Sequence, residues 1–288
     1  MAFELKEEGY RLKDVLVVVG IPEATYHYHV KRWNKADQNL FLKETISELF
    51  YHFKERYGYK RITKELNKTG IKINHKKVYR LMKELHLKCT KFTRKTRKYN
   101  SYKGTVGKVA KNLLNRRFTT PYPLQKLVTD ITEFKCLGDY KLYLNPIMDL
   151  YNGEVISYGL SHHPTLDLVI HPLKEAVQVV KNNATVRTTI HSDQGWHYQH
   201  KKWRTYLKKN KVFQSMSRKA TCSDNAAMEN FFGIMKQEMY HGEPLKAYEE
   251  LKKEIEEYIE WYNTIRGKQK LAGLSPVEYR TQTSQEAA

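Results

Sequence analysis

The chain has 288 residues, with 51 lysines and arginines against 31 aspartates and glutamates, and a formal net charge of +20. Its length predicts about two domains, and a hydrophobic content of 40% excludes global disorder. No apolar run reaches the roughly 20 residues of a membrane span, and three scattered cysteines favour neither a disulfide framework nor a zinc finger. The few cysteines fit a reducing cytoplasm, and the positive charge, spread along the whole chain, predicts a nucleic-acid partner.

Residues 1–36 are predicted to form a helix-turn-helix-like segment. Two short helical patterns occupy residues 11–33, with Gly20 between them and Pro22 in the first turn of the second. This order of helix, glycine-containing turn and helix is typical of DNA-binding motifs. A helical hairpin that only packs on its neighbour fits the pattern equally well.

Residues 37–88 repeat the pattern as a second helix-turn-helix-like DNA-binding domain. Helices are predicted at 37–57, 61–68 and 75–87. Asn74 is the expected cap of the last helix, whose apolar stripe would leave a basic face open to DNA. The predicted DNA-binding residues on that face are His75, Lys76, Lys77 and Arg80. The alternative is a basic face that is only solvated.

A basic linker is predicted over residues 89–122. From Leu85 to Thr129 the sequence has twelve lysines and arginines and no acidic residue, with little apolar periodicity. Such a segment is expected to be extended when free and ordered along a DNA backbone when bound. Arg94 and Arg97 are its predicted DNA-binding residues, although a charge run of this kind is often only solvated.

Residues 123–283 alternate between strand and helix patterns. Strands are predicted at 124–135, 140–150, 153–161, 186–193 and 212–217. Helices are predicted around 166–181, 200–209, 225–240 and 246–264. Three antiparallel strands followed by alternating helices and strands predict an α/β fold with a mixed five-stranded sheet.

Three acidic residues in this region are candidate metal ligands and catalytic residues. Asp130 lies inside the first strand, where an isolated carboxylate would be costly to bury. Asp193 ends the fourth strand, and 35 residues separate it from Glu229, which lies on a helix. Carboxylate oxygens suit Mg²⁺ or Mn²⁺, and two such ions can run in-line attack on a phosphodiester. In so basic a chain, the expected substrate is DNA.

The helix that carries Glu229 adds two polar residues to the same face. Asn225 precedes it by four residues and Lys236 follows it by seven, so both are predicted to bind DNA beside the carboxylate. The alternative for Lys236 is an exposed lysine without a role. For two competing acids we favour structural roles, with Asp149 in a strand-end turn and Asp224 as a helix N-cap.

Three sequence boxes resemble a known family. HSDQGWHY, MSRKATCSDNAAMENFFGIMKQE and YIEWYNTIRGKQKLAGLSPVEYR occur in the order and spacing of second-reading-frame (OrfB) transposases of the IS-three insertion-sequence family, in the retroviral-integrase superfamily. The resemblance covers nearly the whole chain. It implies an RNase H-like integrase catalytic core over 123–283, with Asp130, Asp193 and Glu229 as metal ligands and Lys236 in contact with DNA.

The resemblance also implies a reaction and partners. The expected activity is metal-dependent cleavage of insertion-sequence ends and strand transfer, on double-stranded element ends and target DNA near the bacterial nucleoid. A homo-oligomer on DNA and an interaction with the first-frame product, OrfA, are further expectations. Two alternatives remain, a hydrolytic RNase H-like nuclease and a non-catalytic DNA-binding regulator of a fused transposase.

Overall fold

The computed structural model describes residues 1–33, 37–91, 108–219 and 221–286. Residues 1–88 and 89–288 form two compact units. In the described parts of the chain, no helix is both long and apolar enough to cross a membrane.

The first unit is helical. Its helices are α1 (Ala2–Glu7), α2 (Leu12–Val19), α3 (Glu23–Trp33), α4 (Leu40–His52), α5 (Tyr59–Lys68) and α6 (His75–Glu84). Helix α1 is an addition to the sequence prediction. Gly20 ends α2 in the left-handed conformation, with φ of 71°, as the glycine-containing turn required. The second and third predicted helices of residues 37–88 are confirmed.

Helix α4 is shorter than the predicted helix 37–57, so that prediction is wrong at both ends. The chain leaves the helix after His52, because Lys54 and Glu55 take left-handed φ values of 50° and 59°. The turn brings the Tyr57 ring onto Phe53, with ring centroids 4.1 Å apart. Phe53 therefore satisfies the apolar periodicity although the helix has ended.

The second unit contains a six-stranded mixed sheet. Its strands are β1 (Lys126–Thr129), β2 (Thr132–Lys135), β3 (Lys141–Asp149), β4 (Val155–Ser161), β5 (Thr189–Ser192) and β6 (Phe213–Met216). Strand β3 pairs antiparallel with β1, β2 and β4, whereas β1, β5 and β6 are parallel neighbours. Among the described residues of this unit, the α-helices are α7 (Leu166–Asn183), α8 (Trp196–Gln199), α9 (Lys201–Lys209), α10 (Ala226–Met239), α11 (Tyr248–Thr264) and α12 (Pro276–Glu286).

Six strands replace the predicted five because the first predicted strand is interrupted at Asp130. The pairs Thr129–Ile147 and Thr132–Leu144 belong to one register along β3, which places Pro146 opposite Asp130. Proline has no N–H to donate to the carbonyl of Asp130. The side-chain amide of Asn145 donates to that carbonyl instead, at 2.9 Å. Asp130, the candidate catalytic carboxylate, therefore lies between two strands and not within one.

Two apolar clusters cover the two faces of the sheet. One is formed with α10 and α11 and contains Phe231, Met235 and Ile255. The other is formed with α7 and α9 and contains Leu173 and Trp203. Helix α12 was not predicted, and it begins with a capping box in which Ser275 and Glu278 exchange side-chain-to-backbone hydrogen bonds of 2.7 and 3.2 Å.

Helix α7 packs very closely on β4 at Gly159. Pro172 lies inside α7 and cannot donate to the Leu168 carbonyl four residues earlier. A Cβ atom on Gly159 would lie 2.4 Å from that carbonyl oxygen, which is closer than real atoms approach. The contact therefore requires glycine at position 159.

We expect Gly159→Ala to lower the free energy of unfolding by about 1–3 kcal/mol, because α7 must shift to relieve the overlap. Gly233→Ala is the matched control. Gly233 lies on the exposed side of α10 with nothing within 4 Å of an added Cβ, so alanine there should stabilise by about 0.5–1 kcal/mol. Urea unfolding of both variants measures the difference, and equal values would contradict the close contact.

Candidate active site

The parallel strands place two of the predicted acids at one edge of the sheet. Asp130 follows β1 and Asp193 follows β5, and these strands are neighbours. Carboxyl ends of adjacent parallel strands meet at the same edge, which is where ligands gather in α/β sheets. Glu229 lies in the first turn of α10.

The three carboxylates share one electrostatic environment. Burial, together with the charges of Asp193 and Glu229, raises the pKa of Asp130 well above its usual value. Burial also raises the pKa values of Asp193 and Glu229. Ionisation of Asp130 is therefore disfavoured by the two other acids as well as by burial, and nearby positive charge would relieve that cost.

Backbone and amide groups orient the two aspartates. Asp130 accepts hydrogen bonds from the N–H of Ile131 at 2.8 Å and from the side-chain amide of Asn225 at 3.1 Å. Asp193 accepts from the N–H of Gly195 at 2.8 Å. Among the described residues, no group of three or more His, Cys, Asp or Glu side chains is arranged to hold a metal ion.

Asn225 and Lys236, both predicted to bind DNA, contact the protein in this structure. Asn225 donates to Asp130, so it touches a candidate catalytic group directly. The Lys236 ammonium donates to the carbonyl of Glu133 at 2.9 Å and lies 5.0 Å from the centre of the Phe134 ring. Lys236 is half-buried rather than free in solvent, and its contacts tie α10 to β2.

The other predicted DNA-binding residues belong to the first unit or lie outside the described residues. The side-chain oxygen of Asn74 accepts from the N–H of Lys76 at 2.8 Å, which confirms the predicted cap of α6. The buried stripe is Val78, Leu81 and Met82. His75, Lys76 and Arg80 are exposed, and Lys77 is half-buried. Arg94 and Arg97 lie outside the described residues.

Of the two acids that were assigned structural roles, one prediction is confirmed and one is wrong. Asp149 accepts from the N–H of Tyr151 at 3.0 Å in the turn after β3, and burial raises its pKa to about 6. Asp224 does not cap α10, whose N-cap residue is Asn225. Its buried carboxylate instead binds Arg116 and Arg218.

His191 lies on β5, two residues before Asp193, and packs inside the protein. It is fully buried, and its ring nitrogens lie 2.8 and 3.1 Å from the hydroxyls of Ser215 and Ser217. Burial lowers its pKa to about 4, so the ring is neutral at pH 7.

The chain matches family descriptions in both units. It matches an integrase core domain over residues 121–222 and again over 229–283, and an HTH-like domain over 35–96. It is 44% identical, over 95% of each chain, to the putative transposase InsK for insertion sequence element IS150 of Escherichia coli. It is 32% identical to the transposase InsF for insertion sequence IS3A of the same species, over 80% of this chain and 78% of that one. The chain belongs to the IS-three family of insertion-sequence transposases. It is a DNA transposase with an RNase H-like integrase core, as the sequence boxes implied.

Two further similarities are to a bacterial relative and to a solved structure. An uncharacterized transposase-like protein of Haemophilus influenzae is 49% identical over 74% of the transposase and 95% of its own chain. The catalytic core domain of the HTLV-2 integrase, solved in complex with magnesium, is 16% identical with a TM-score of 0.42, over 55% of the transposase and 97% of that chain.

Sequence reasoning missed a buried ion pair in the core of the transposase. Arg266 donates to both carboxylate oxygens of Glu238 at 2.6 and 2.9 Å, and the Tyr258 hydroxyl donates to the same carboxylate at 2.7 Å. Glu238 stands on the apolar side of α10 between buried Met235 and Met239. A charge among core positions is the signal that could have predicted a buried partner.

The C-terminal box therefore contributes to the fold. Asn263 makes two hydrogen bonds to the backbone of Val155 at the start of β4, donating at 2.9 Å and accepting at 3.0 Å. Arg266, three residues later, holds α10 through Glu238. These residues fix the helix that presents Glu229.

Lys236 carries a testable prediction. We expect Lys236→Ala to lower the joining of DNA ends by at least about tenfold, on the hypothesis that its ammonium, seven residues from Glu229 on the same helix, binds a phosphate near the cleaved bond. Lys270→Ala, on a short turn after α11, is the control. A crosslinker at position 236 should label nucleotides beside the cleavage site. Wild-type joining by Lys236→Ala, with labelling of distant DNA only, would show that Lys236 contacts β2 and does not bind DNA near the cleavage site.

Proposed function

We propose that this transposase cuts the ends of its own insertion sequence and joins them to target DNA, with Asp130, Asp193 and Glu229 as the catalytic carboxylates. The observation that carries the proposal is geometric: Asp130 and Asp193 follow the neighbouring parallel strands β1 and β5, and Asn225, at the start of the helix that carries Glu229, donates to Asp130 at 3.1 Å. The raised pKa of Asp130, caused by burial and by the charges of Asp193 and Glu229, supports it, because acids kept together at such a cost are typical of a site that binds cations.

The chemistry of the three donors suits divalent metal ions, although their side chains are not arranged around a common ion position among the described residues. All three side chains offer oxygen, which suits Mg²⁺ or Mn²⁺, and the acids that would hold two such ions are Asp130, Asp193 and Glu229. Such ions supply activation of the attacking oxygen and stabilisation of the leaving oxygen in phosphoryl transfer. We expect chelation to abolish the chemistry and leave DNA binding intact.

The chain's own residues orient the reaction. The Asn225 amide and the Ile131 N–H hold the carboxylate of Asp130, and the Gly195 N–H holds that of Asp193. In the first step, water attacks the phosphodiester at the element end and releases a 3′-hydroxyl. In the second, that hydroxyl attacks a target phosphodiester, forms the new P–O bond and displaces the target strand's own 3′-oxygen.

DNA selection is proposed for the first unit. The exposed basic residues of α6 supply phosphate and base contacts, as in other helix-turn-helix domains. We also propose two protein partners for the transposase: a second copy of itself on paired element ends, and the OrfA product.

A strand-transfer assay with a pre-cut element end tests the proposal. The transposase is expected to give joined product with a supercoiled target in the presence of Mg²⁺. Cut product alone would instead identify a hydrolytic nuclease, and a shifted band with neither product would identify a DNA-binding regulator. The Asp130→Asn variant and a chelator serve as controls.

A further inference from the structure

A third parallel strand ends at the same edge as the catalytic aspartates. Strand β6 is the parallel neighbour of β5, and the N–H of Ser217 donates to the carbonyl of Ser192 at 2.9 Å just beyond the two strands. The next residue is Arg218. The carboxyl ends of β1, β5 and β6 therefore deliver Asp130, Asp193 and Arg218 to one edge of the sheet.

Asp224 holds Arg218 in a fixed orientation. Its carboxylate accepts from Nε and Nη2 of Arg218, both at 2.9 Å, and from the backbone N–H of Arg218 at 3.1 Å. The Asp224 side chain is 0% exposed, whereas that of Arg218 is 57% exposed. One edge of the guanidinium is therefore used inside the protein, and the outer part of the group faces solvent.

The same carboxylate holds a second arginine from a distant part of the sequence. Nε of Arg116 lies 3.0 Å from Asp224, and the Arg116 side chain is 52% exposed. The Asn112 amide also donates to Asp224 at 3.0 Å. The N–H of Leu113 donates to the Ser215 hydroxyl at 2.9 Å, so this segment of the expected linker lies against the sheet.

The charges around Asp224 do not balance. Its arginine partners hold the pKa of Asp224 well below its usual value, so the group stays ionised. One negative charge then faces two guanidinium groups that are each about half exposed. Excess positive charge with a preorganised planar fork is suited to a phosphate group. Asp224 is also adjacent in sequence to Asn225, which donates to Asp130.

We propose that Arg116 and Arg218, here termed the arginine pair, bind a DNA backbone phosphate next to the catalytic carboxylates. The inference rests on the proposed function for the identity of the ligand. It extends the DNA-binding surface to a segment, residues 112–116, whose expected role was that of a linker. Asp224 is the positioning residue of this site.

Binding of an element-end duplex by the full chain over a range of salt concentrations tests the proposal without any need for catalysis. Each lost phosphate contact lowers the slope of log K against log salt by about 0.9. Arg116→Ala leaves all three bonds between Arg218 and Asp224 in place, and Arg218→Lys keeps the charge. The expected results are a lower slope for Arg116→Ala and weaker binding for Arg218→Lys, with melting temperatures close to wild type.

Arg280→Ala is the matched control. Arg280 is also a half-exposed, ion-paired arginine, at 46% exposure, but its partner Glu154 lies in the β3–β4 turn, beside the start of β1, whereas Asp130 follows the end of β1. The slope of log K against log salt for Arg280→Ala should equal that of the wild type. Equal slopes and affinities for all three variants would overturn the proposal and leave the arginine pair as counterions of Asp224.

A scan with the wild-type protein remains informative if a variant fails to fold. Single neutral methylphosphonate linkages placed along the duplex should weaken binding several-fold at one or two positions beside the cleavage site. Absence of any such position would overturn the proposal. If the slopes respond but no joined product forms with the wild type, the arginine pair stands while the transposition chemistry fails.

Discussion

Asp130→Asn is expected to abolish joining of a pre-cut DNA end, by at least about 10³-fold, while DNA affinity stays within about twofold of wild type. The loss corresponds to several kcal/mol of transition-state stabilisation by a metal site. Asp193→Asn and Glu229→Gln are expected to behave in the same way. Quantification of joined product over time measures the effect.

The same substitution should stabilise the fold in the absence of metal. Burial and two neighbouring negative charges raise the pKa of Asp130 above its unfolded value, so its ionised form is disfavoured in the folded state. Because the folded pKa is raised, Asp130 does not destabilise the fold below its unfolded pKa. The destabilisation grows as the pH rises towards the folded pKa and is complete above it. At pH 7, the neutral asparagine removes this cost, and the melting temperature should rise by a few degrees.

Glu133→Gln is the control for these two measurements. Its carboxylate is 49% exposed and pairs with Lys141 at 3.0 Å across β2 and β3, outside the catalytic trio. We expect joining within about twofold of wild type and an unchanged melting temperature. Near-normal joining by Asp130→Asn would remove Asp130 from the site, and a lower melting temperature would contradict the electrostatic argument.

Breaking the buried pair between Glu238 and Arg266 is expected to cause the largest loss of stability. Arg266→Ala would leave the Glu238 carboxylate, 0% exposed, without its cation, at a cost of about 3–5 kcal/mol of unfolding free energy. The double replacement Glu238→Leu with Arg266→Met should cost less, because no buried charge remains unpaired. Urea unfolding at neutral pH measures both.

The exposed pair between Arg280 and Glu154 provides the comparison. Arg280→Ala removes an ion pair of 2.8 Å whose arginine is 46% exposed, and it should cost at most about 1 kcal/mol. A cost below about 1 kcal/mol for Arg266→Ala would show that the buried pair does not stabilise the helix that presents Glu229.

Local patterns in the sequence were sufficient to predict most of the fold. The five predicted strands all exist, because alternating apolar residues and turn residues are properties of short segments. Gly138 and Asp139, between β2 and β3, have positive φ values of 72° and 60°, as residues of this type in a tight turn often do. The predicted cap at Asn74 likewise needs only residues within one turn.

Two of the failed predictions involve a contact with a residue that is distant in the sequence. The first strand is interrupted at Asp130 because Pro146, on another strand, lies opposite and has no N–H. The N-cap role for Asp224 was wrong because Arg116, more than a hundred residues earlier, and Arg218 bind its carboxylate. Neither contact leaves a mark in the sequence around the residue concerned.

The sequence by itself determined that this is a DNA transposase and predicted its carboxylate trio, because acid spacing, charge and the three boxes can all be read along the chain. Only the tertiary structure decided what surrounds the trio. Asn225 donates to Asp130, and Lys236 donates to the Glu133 carbonyl. The Asp224 carboxylate binds Arg116 and Arg218. Each of these polar groups takes the partner that compensates for its lost hydration, and that partner is set by the packing of distant segments.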